Sequence, residues 1–314
     1  MKLNRIILAL ICVTLLVLSA CSNDKSDTDI NIITYGVGPV ITINQSGRPE
    51  LTPDNYPRID GSTANIPLMT RLYSNFCGVS LEDAETSVIT SGGTGAVWRN
   101  MLAGNADLLL VYEAPKSVQS EIGSKLEIAP IGRDGLVFLV NASNPVNNLT
   151  RSQLIKIYTG KIEDWKKVGG KAGKITAFQR NLESGSQTLF LNLLMKDKPP
   201  MTPPAGWILG QMNFLINSVA APYDGSDGAI GFSVFYYASL MYANPDIKIL
   251  SVDGIVPSNE SIQDGSYPLV NNFYVVIRAD EPENSPARLL RDWLLSAEGN
   301  ELLYEAGYVP VKYE

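Results

Sequence analysis

Apolar and polar positions along the chain follow two periods, one typical of strands and one typical of helices. Short apolar runs rich in β-branched residues predict strands over 31–35, 108–112, 135–141, 174–178, 229–232, 247–252 and 273–277. Between these runs, apolar residues recur every three or four positions and predict helices over 66–76, 96–103, 151–158, 187–195 and 286–306. Strands that alternate with helices in this way predict an α/β fold.

Two of the predicted helices begin at residues that commonly cap a helix. Thr150 is followed three positions later by Gln153, which is the spacing of a capping box. Ser285 precedes a proline, the residue type favoured at the first helical position. We assign both helices to the scaffold, because each presents an apolar stripe to the core.

The N-terminal sequence predicts export and lipid attachment. Lys2 and Arg5 precede an apolar stretch over 6–18, which suits a signal-peptide core and is too short to span a bilayer comfortably. The Leu-Ser-Ala-Cys sequence that ends at Cys21 is typical of a lipobox, in which the cysteine is acylated as the peptide is cut. A plain secretion signal cut near the same position is the alternative. We expect the chain to work outside the cytoplasm, tied to a membrane by lipid on Cys21.

The composition argues against several partners and chemistries. The net charge is −7, and removal of residues 1–20, which contain Lys2 and Arg5, leaves 23 basic and 32 acidic residues. This excess of acid argues against nucleic acid or an anionic bilayer as partner. The sequence contains no histidine, so a Ser-His-Asp triad, a Cys-His pair and histidine-based metal sites are excluded. We therefore expect no cofactor, no metal and no catalysis.

A candidate binding element lies between the strand predicted over 174–178 and the helix predicted over 187–195. Arg180 enters this junction, and Ser184, Gly185 and Ser186 complete it. Glycine permits close approach, while serine hydroxyls and the first helical amides donate hydrogen bonds towards an anion. Arginine adds a permanently charged fork. Because every group in this set is a donor, we predict an oxyanion ligand, with ordinary helix capping as the alternative.

Two more helix starts have the same character. Asp60-Gly61-Ser62-Thr63 precedes the helix over 66–76, and Ser91-Gly92-Gly93-Thr94 precedes the helix over 96–103. If the three starts converge, they surround a tetrahedral anion with neutral dipoles. Such a cage explains how an acidic protein holds an anion.

Glu113 follows the apolar run 108–112, at the strand end where α/β sheets place their ligands. A carboxylate beside an anion is favourable only when the anion has a proton to donate, as monohydrogen phosphate has and sulfate lacks. Glu113 is therefore predicted to reject fully ionised oxyanions. A solvated strand end is the alternative.

These stretches resemble the phosphate-binding lipoproteins of phosphate ABC transporters, the PstS-like branch of the two-lobed solute-binding proteins. The similarity is carried by YPRIDGSTANIPL, IGRDGLVFLVNASNPVNNLTRSQLIKIYTGKIEDWKKVGG, the turn from Arg180 to Ser186, DGAIGFS and YPLVNNFYVVIRAD. The resemblance implies inorganic phosphate as ligand and an ABC import permease as partner. It assigns phosphate contacts to Ser62, Thr63, the amide of Ala64, Thr94, Glu113, Arg180, Ser184, Gly185 and Ser186.

The sequence departs from the better-known members of that family at its candidate site. Those members carry aspartate where Glu113 stands, aspartate-glycine where Leu182 and Glu183 stand, and threonine where Ser186 stands. The extra methylene of Glu113 shifts the acceptor by more than about 1 Å, so the pocket is rearranged or the ligand is altered. Another oxyanion, such as a phosphonate, arsenate, molybdate or tungstate, is therefore an alternative ligand.

The resemblance also implies an α/β fold of the type II periplasmic-binding-protein class. Two lobes, each a mixed sheet flanked by helices, are joined by a two-strand hinge that crosses near 131–140 and returns near 264–269. The chain then divides into a signal peptide at 1–20, a tether at 21–30, a discontinuous lobe I at 31–131 plus 268–314, and lobe II at 132–267.

Two functions of other classes remain open. A secreted phosphoesterase would use Ser62, Ser184 or Ser186 as nucleophile, although no good base candidate accompanies these serines. A surface adhesin or sensor would keep the fold without serving a permease.

Overall fold

The structure is a computed structural model that describes residues 43–44, 47–221 and 227–311. The predictions for the signal peptide, the tether, lipidation of Cys21 and a strand over 31–35 lie outside the described residues. Within the described ranges, every helix is too short or too polar to cross a bilayer.

Short strands alternate with short helices along the described chain. The strands are β1 (Ile59–Gly61), β2 (Leu108–Val111), β3 (Leu126–Asn141), β4 (Asn148–Leu149), β5 (Lys174–Ala177), β6 (Gln179–Arg180), β7 (Ile208–Leu209), β8 (Asp227–Val234), β9 (Ile247–Ile249), β10 (Ser251–Val252), β11 (Val270–Arg278) and β12 (Val309–Pro310). The α-helices are α1 (Ile66–Cys77), α2 (Leu81–Ser87), α3 (Thr94–Leu102), α4 (Lys116–Ile122), α5 (Arg151–Tyr158), α6 (Gly185–Leu189), α7 (Met212–Ala220), α8 (Asn259–Gln263), α9 (Pro286–Leu294) and α10 (Ala297–Glu305). A 3₁₀ turn over Thr63–Asn65 leads into α1, and α6 continues as a π-helix over Phe190–Met195.

One long strand joins two mixed sheets. β3 pairs antiparallel with β11 from Leu126 to Gly135, and with β8 and β9 from Leu136 to Asn141. We call β1, β2, β11, β12 and the first part of β3 sheet 1, and we call β5, β8, β9 and the second part of β3 sheet 2. The β1–β2 and β5–β8 pairs are parallel, so each sheet contains both orientations. The predicted α/β fold with two mixed sheets is confirmed.

The chain returns from sheet 2 to sheet 1 beside the middle of β3. The amide of Leu136 donates to the carbonyl of Leu269 at 2.9 Å, and the carbonyl of Leu136 accepts from the hydroxyl of Tyr267 at 2.8 Å. The two crossings therefore run side by side, as in a two-strand hinge. The division into lobe I at 31–131 plus 268–314 and lobe II at 132–267 stays a prediction.

β2 is apolar at every position because both of its faces are covered. Leu108 and Leu110 belong to the main core cluster, whereas Leu109 and Val111 belong to a second cluster with residues of α3 and α4. Burial on both faces removes the alternation of polar and apolar residues that a half-exposed strand shows. The strand is thus fixed firmly, and its C-terminal end is a rigid base for the residues that follow.

Most predicted helices and strands are confirmed, with shifts at their ends. The capping box at Thr150 and the side-chain cap at Ser285 are both present. The single helix predicted over 286–306 is wrong, because the chain forms α9 and α10 instead. Ser296 begins the second helix, since its hydroxyl accepts from the amide of Gly299 as a new cap.

Candidate functional site

A cavity of about 240 Å³ lies between sheet 1 and sheet 2. Residues that follow the C-terminal ends of β1, β2, β6, β7 and β8 line it, which is where α/β sheets place ligands. Eight of the nine predicted ligand residues belong to this lining, namely Ser62, Thr63, Ala64, Thr94, Arg180, Ser184, Gly185 and Ser186.

On the sheet 1 side of the cavity, two buried hydroxyls form a chain. Oγ of Ser62 accepts from the backbone amide of Tyr112 at 3.2 Å and lies 3.0 Å from Oγ1 of Thr94. Because Ser62 already accepts from this amide, its own proton is available to donate. Ser91, the other hydroxyl of the same turn as Thr94, instead donates to Asp60 at 2.5 Å. The structure thus places Thr94, and not Ser91, at the cavity.

On the sheet 2 side, Arg180 is a buried cation that faces the cavity. Its Nε and Nη2 atoms donate to the carbonyls of Leu209 and Gly210 at 2.9 and 3.0 Å, and Nη1 lies 3.3 Å from the sulfur of Met212. Pairing of β6 with β7 brings these carbonyls beside the guanidinium. Burial lowers the pKa of Arg180 to about 10, and no described carboxylate counters this effect. With five N–H donors in total, the guanidinium keeps donors for a ligand.

Ser184, Gly185 and Ser186 begin α6 without a side-chain cap. Oγ of Ser184 lies 3.1 Å from Oγ of Ser186, and the Ser184 side chain accepts from no helix amide. Ser62 likewise precedes the turn at Thr63–Asn65 without capping it. Ordinary capping is therefore the wrong interpretation of these serines. The first amides of a helix have no partner within the helix, so they too are suited to a ligand.

The two sides of the cavity approach each other closely at Gly185. A Cβ atom at this position would lie 2.6 Å from Oγ1 of Thr94 and 3.5 Å from Cβ of Tyr112. A side chain at this position would push the turn away from sheet 1. Glycine therefore allows the hydroxyl of Thr94 and the start of α6 to face the same small space.

Glu113 is the predicted ligand residue that the structure places outside the cavity lining. Its Oε2 accepts from Nδ2 of Asn192 at 2.7 Å, on the part of the chain that follows α6. Its neighbour Tyr112 lines the cavity, whereas the carboxylate of Glu113 is directed to Asn192. The predicted role of Glu113 as the acceptor for a ligand proton is corrected accordingly.

The lining also contains two charged residues, Arg99 and Glu183, that are not among the predicted ligand residues. Nη1 of Arg99 and Oε2 of Glu183 form an ion pair at 2.7 Å, with side chains 46% and 41% exposed. Arg99 lies five residues after Thr94 on α3, and Glu183 immediately precedes Ser184. The sequence signal for Glu183 was its departure from the glycine of better-known relatives, whereas no motif marks Arg99.

A buried carboxylate supports the cavity from beneath. Asp134 accepts from the hydroxyl of Tyr112 at 2.7 Å, from the amide of Gly135 at 2.7 Å and from the amide of Tyr236 at 3.2 Å. Burial raises the pKa of Asp134 to about 6, although these hydrogen bonds favour the ionised form. Asp134 lies where β3 passes from sheet 1 to sheet 2, so it ties both sides of the cavity to the crossing strand.

A larger groove of about 980 Å³ lies beside α5 and the loop after the π-helix. Its lysines, Lys156, Lys161, Lys196 and Lys198, are all exposed. Solvated surface cations of this kind do not need a ligand, whereas a buried arginine does. We therefore place the candidate site in the smaller cavity. In the described ranges, metal-ligating side chains nowhere form a group of three or more that could hold an ion.

Comparison with protein families gives a match to the description "PBP superfamily domain" over residues 47–298. The chain belongs to the PBP superfamily. This match covers sheet 2, all of sheet 1 except β12, and every residue of the cavity lining.

Individual relatives are similar over nearly their whole length. The phosphate-binding protein PstS of Bacillus subtilis is 25% identical over 317 residues, covering 99% of this chain and 95% of that protein. The ABC-type phosphate transport receptor of Vibrio cholerae is 25% identical, with a TM-score of 0.58 over 80% of this chain and 98% of its own. A substrate-binding protein of Clostridium perfringens, solved with bound phosphate, has a TM-score of 0.64 and 22% identity over 81% and 99% of the two chains.

Proposed function

We propose that this protein captures inorganic phosphate in the cavity between sheet 1 and sheet 2 and delivers it, unchanged, to an ABC import permease. The observation that carries the proposal is Arg180, a buried guanidinium with spare donors and no described carboxylate partner. A buried charge is costly unless it is paired. An anion in the cavity supplies the missing partner.

The shape and chemistry of the cavity favour a small, strongly hydrated oxyanion. Arg180 provides charge, Ser62 and Thr94 provide hydroxyl donors, and the start of α6 provides helical amides. A volume of about 240 Å³ accommodates one tetrahedral ion with a few waters and is small for an extended phosphate ester. The names of the relatives, phosphate-binding protein PstS and phosphate transport receptor, favour phosphate among the oxyanions.

Capture between two sheets provides a signal that a permease reads. The two crossing segments at Leu136 and Leu269 act as the hinge, and lobe I at 31–131 plus 268–314 closes on lobe II at 132–267. The ligand bridges the lobes, so the closed form reports that the cavity is loaded. Export by the signal at 1–20 and lipid on Cys21 hold the protein at the outer face of a membrane, next to the permease.

A thermal-shift screen of the purified protein against phosphate, sulfate, arsenate, molybdate and tungstate tests the ligand. A ligand that binds the folded state alone raises the melting temperature by mass action. We expect the largest rise with phosphate, and titration calorimetry should then give one site per chain. If the melting temperature rises with molybdate or tungstate but not with phosphate, that oxyanion is the ligand and phosphate is not.

The absence of catalysis is tested with a chromogenic phosphate ester. We expect no turnover above the rate in buffer alone, because the carboxylate of Glu183 in the described cavity lining binds Arg99 and Ser117 and not a serine of the cavity. Turnover that disappears in Ser62→Ala or Ser186→Ala would instead assign a phosphoesterase.

A further inference from the structure

Residues on the two sides of the cavity are joined by contacts that the binding role does not use. Glu183 belongs to the turn before α6, on the sheet 2 side, whereas α3 and α4 pack on sheet 1. Oε2 of Glu183 accepts from Nη1 of Arg99 at 2.7 Å, and Oε1 accepts from Oγ of Ser117 at 2.9 Å. The backbone carbonyl of Glu183 also accepts from the amide of Gly95 at 3.0 Å.

We propose that Glu183, held by Arg99 and Ser117, is a positioning residue that keeps the two sides of the cavity closed around the ligand. We call these three residues the clasp. This inference rests on the proposed function, since it assigns a role in retaining the same anion. Glu183 itself does not touch the ligand in this account.

The position of Glu183 in the chain couples the clasp to the site. Glu183 directly precedes Ser184, and its amide donates to Oδ1 of Asn181 at 3.1 Å, so the turn after Arg180 is held in one conformation. Because the carboxylate of Glu183 binds Arg99 on α3, the start of α6 is held close to Thr94. Opening the two sides must therefore break the clasp and separate Gly185 from Thr94 together.

Gly95 is the feature of sheet 1 that admits the clasp. A Cβ atom at Gly95 would lie 2.0 Å from Oε2 of Glu183 and 3.1 Å from its carboxyl carbon. Alanine at this position would displace the carboxylate, yet it has a higher helix propensity than glycine, and Gly95 is the second residue of α3. Gly95 is not part of the cavity lining. Gly95→Ala should therefore disrupt the clasp without changing a residue of the cavity lining and without weakening α3.

The opposite role for Glu183 makes an opposite prediction. Arg99 also lines the cavity, so Glu183 could neutralise a cation that otherwise binds the anion. In that case, removal of Glu183 frees Arg99 and tightens binding. In the clasp account, removal weakens binding, mainly through faster release.

The test compares wild type with Glu183→Ala, Ser117→Ala and Gly95→Ala, using phosphate as the probe. An exposed ion pair alone changes an equilibrium by less than about fivefold, and the added hydrogen bonds increase this effect. We expect a loss of phosphate affinity of roughly 3- to 10-fold for Glu183→Ala and Gly95→Ala and about 2- to 3-fold for Ser117→Ala, mostly in the dissociation rate. The Ser117 and Glu183 changes should be non-additive, because they remove one interaction.

Asp253→Asn is the matched control. Asp253 pairs with Arg151 at 2.5 Å, with side chains 30% and 52% exposed, and both residues lie on the sheet 2 side away from the cavity. We expect unchanged phosphate affinity in this variant. Equal losses in the control and in Glu183→Ala would overturn the clasp, as would tighter binding in Glu183→Ala.

Hydrogen exchange of the ligand-free protein tests the clasp independently of phosphate binding. The amide of Gly95 should exchange faster in Glu183→Ala and Ser117→Ala than in wild type, while the melting temperature of ligand-free Gly95→Ala stays the same or rises. Unchanged exchange would overturn the clasp. If wild type binds no phosphate, the proposed function fails, yet this exchange experiment still gives an answer on the clasp.

Discussion

Helices at the cavity and helices in the scaffold begin with the same residue types, but the hydroxyl groups at these positions serve different purposes. Side chains of Ser80, Thr150, Ser258, Ser285 and Ser296 each accept from an amide of the helix that follows. Ser62 and Ser184, which precede the helical turns at the cavity, accept from no such amide. A hydroxyl that caps its own helix is used by the scaffold. A hydroxyl that does not cap its helix is available to a ligand. Two helix starts of this kind, at Ser62 and Ser184, line the same cavity as the buried Arg180.

The largest effect should come from removing the charge that the uncapped starts surround. We expect Arg180→Gln to weaken phosphate binding by at least roughly 100-fold, since charge-assisted hydrogen bonds are the strongest in such a site. The ligand-free protein should melt at the same temperature or higher, because a buried cation without a carboxylate partner is lost. Titration calorimetry and thermal unfolding measure the two quantities. Arg151→Gln, which removes an exposed arginine, serves as control and should leave phosphate affinity unchanged.

Asp134 extends the comparison to an acceptor that is fully satisfied within the protein. Burial raises the pKa of its carboxyl group to about 6 in the folded state, well above the ordinary value of an aspartate, so the folded protein binds a proton between about pH 4 and 6 that the unfolded chain releases. Stability contributed by this group is therefore present below about pH 4 and lost as the pH rises through about 6.

The free energy of unfolding should fall by roughly 3 kcal/mol over this pH range because of Asp134, at about 1.4 kcal/mol per pKa unit. Asp134→Asn should remove this pH dependence. Urea unfolding of both proteins at pH 4 and pH 7 measures the free energy of unfolding, and the variant should gain on wild type as the pH rises. A constant difference between the two proteins would contradict the assignment.

Exchanging hydroxyls at the two kinds of helix start should separate binding from stability. We expect Thr94→Val to weaken phosphate binding by roughly 10-fold, because a cavity donor is lost while the shape is kept. We expect Thr150→Ala to lower the free energy of unfolding by about 1 kcal/mol, the usual effect of losing a cap, with no change in phosphate affinity. If both variants lose stability and neither loses affinity, the distinction between the two kinds of start is wrong.

The smallest effect should come from Glu113, which lies outside the cavity lining. Glutamine can still accept from Asn192, so we expect Glu113→Gln to change phosphate affinity by no more than about 2-fold and to leave the preference over sulfate as it is. Competition of phosphate and sulfate for each protein measures this preference. Loss of phosphate binding with a gain of sulfate binding would restore Glu113 as the acceptor for a ligand proton.

The fold and most of the cavity lining could be predicted because they depend on local patterns. Buried runs such as 108–111 and stripes such as that of α1 follow from periodicity, and the glycine-hydroxyl turns at Ser62, Thr94 and Ser184 stand out as short motifs. The turns at Ser62 and Ser184 follow strands β1 and β6, whereas the turn at Thr94 begins α3.

The remaining features depend on contacts between distant parts of the chain. The place of Glu113 at a strand end predicts a ligand contact, but the direction of its side chain depends on the distant Asn192. The pair of Arg99 and Glu183 joins residues 84 positions apart and has no local signature. The break between α9 and α10 depended on a cap at Ser296 inside an unbroken apolar stripe.

Equilibrium dialysis of labelled phosphate against wild type and Arg180→Gln tests the central claim most directly. We expect saturable binding of one phosphate per wild-type chain, displaced by unlabelled phosphate, and no saturable binding by the variant in the same concentration range. Equal binding by the two proteins, or no binding by wild type, would contradict a phosphate site built around the buried arginine.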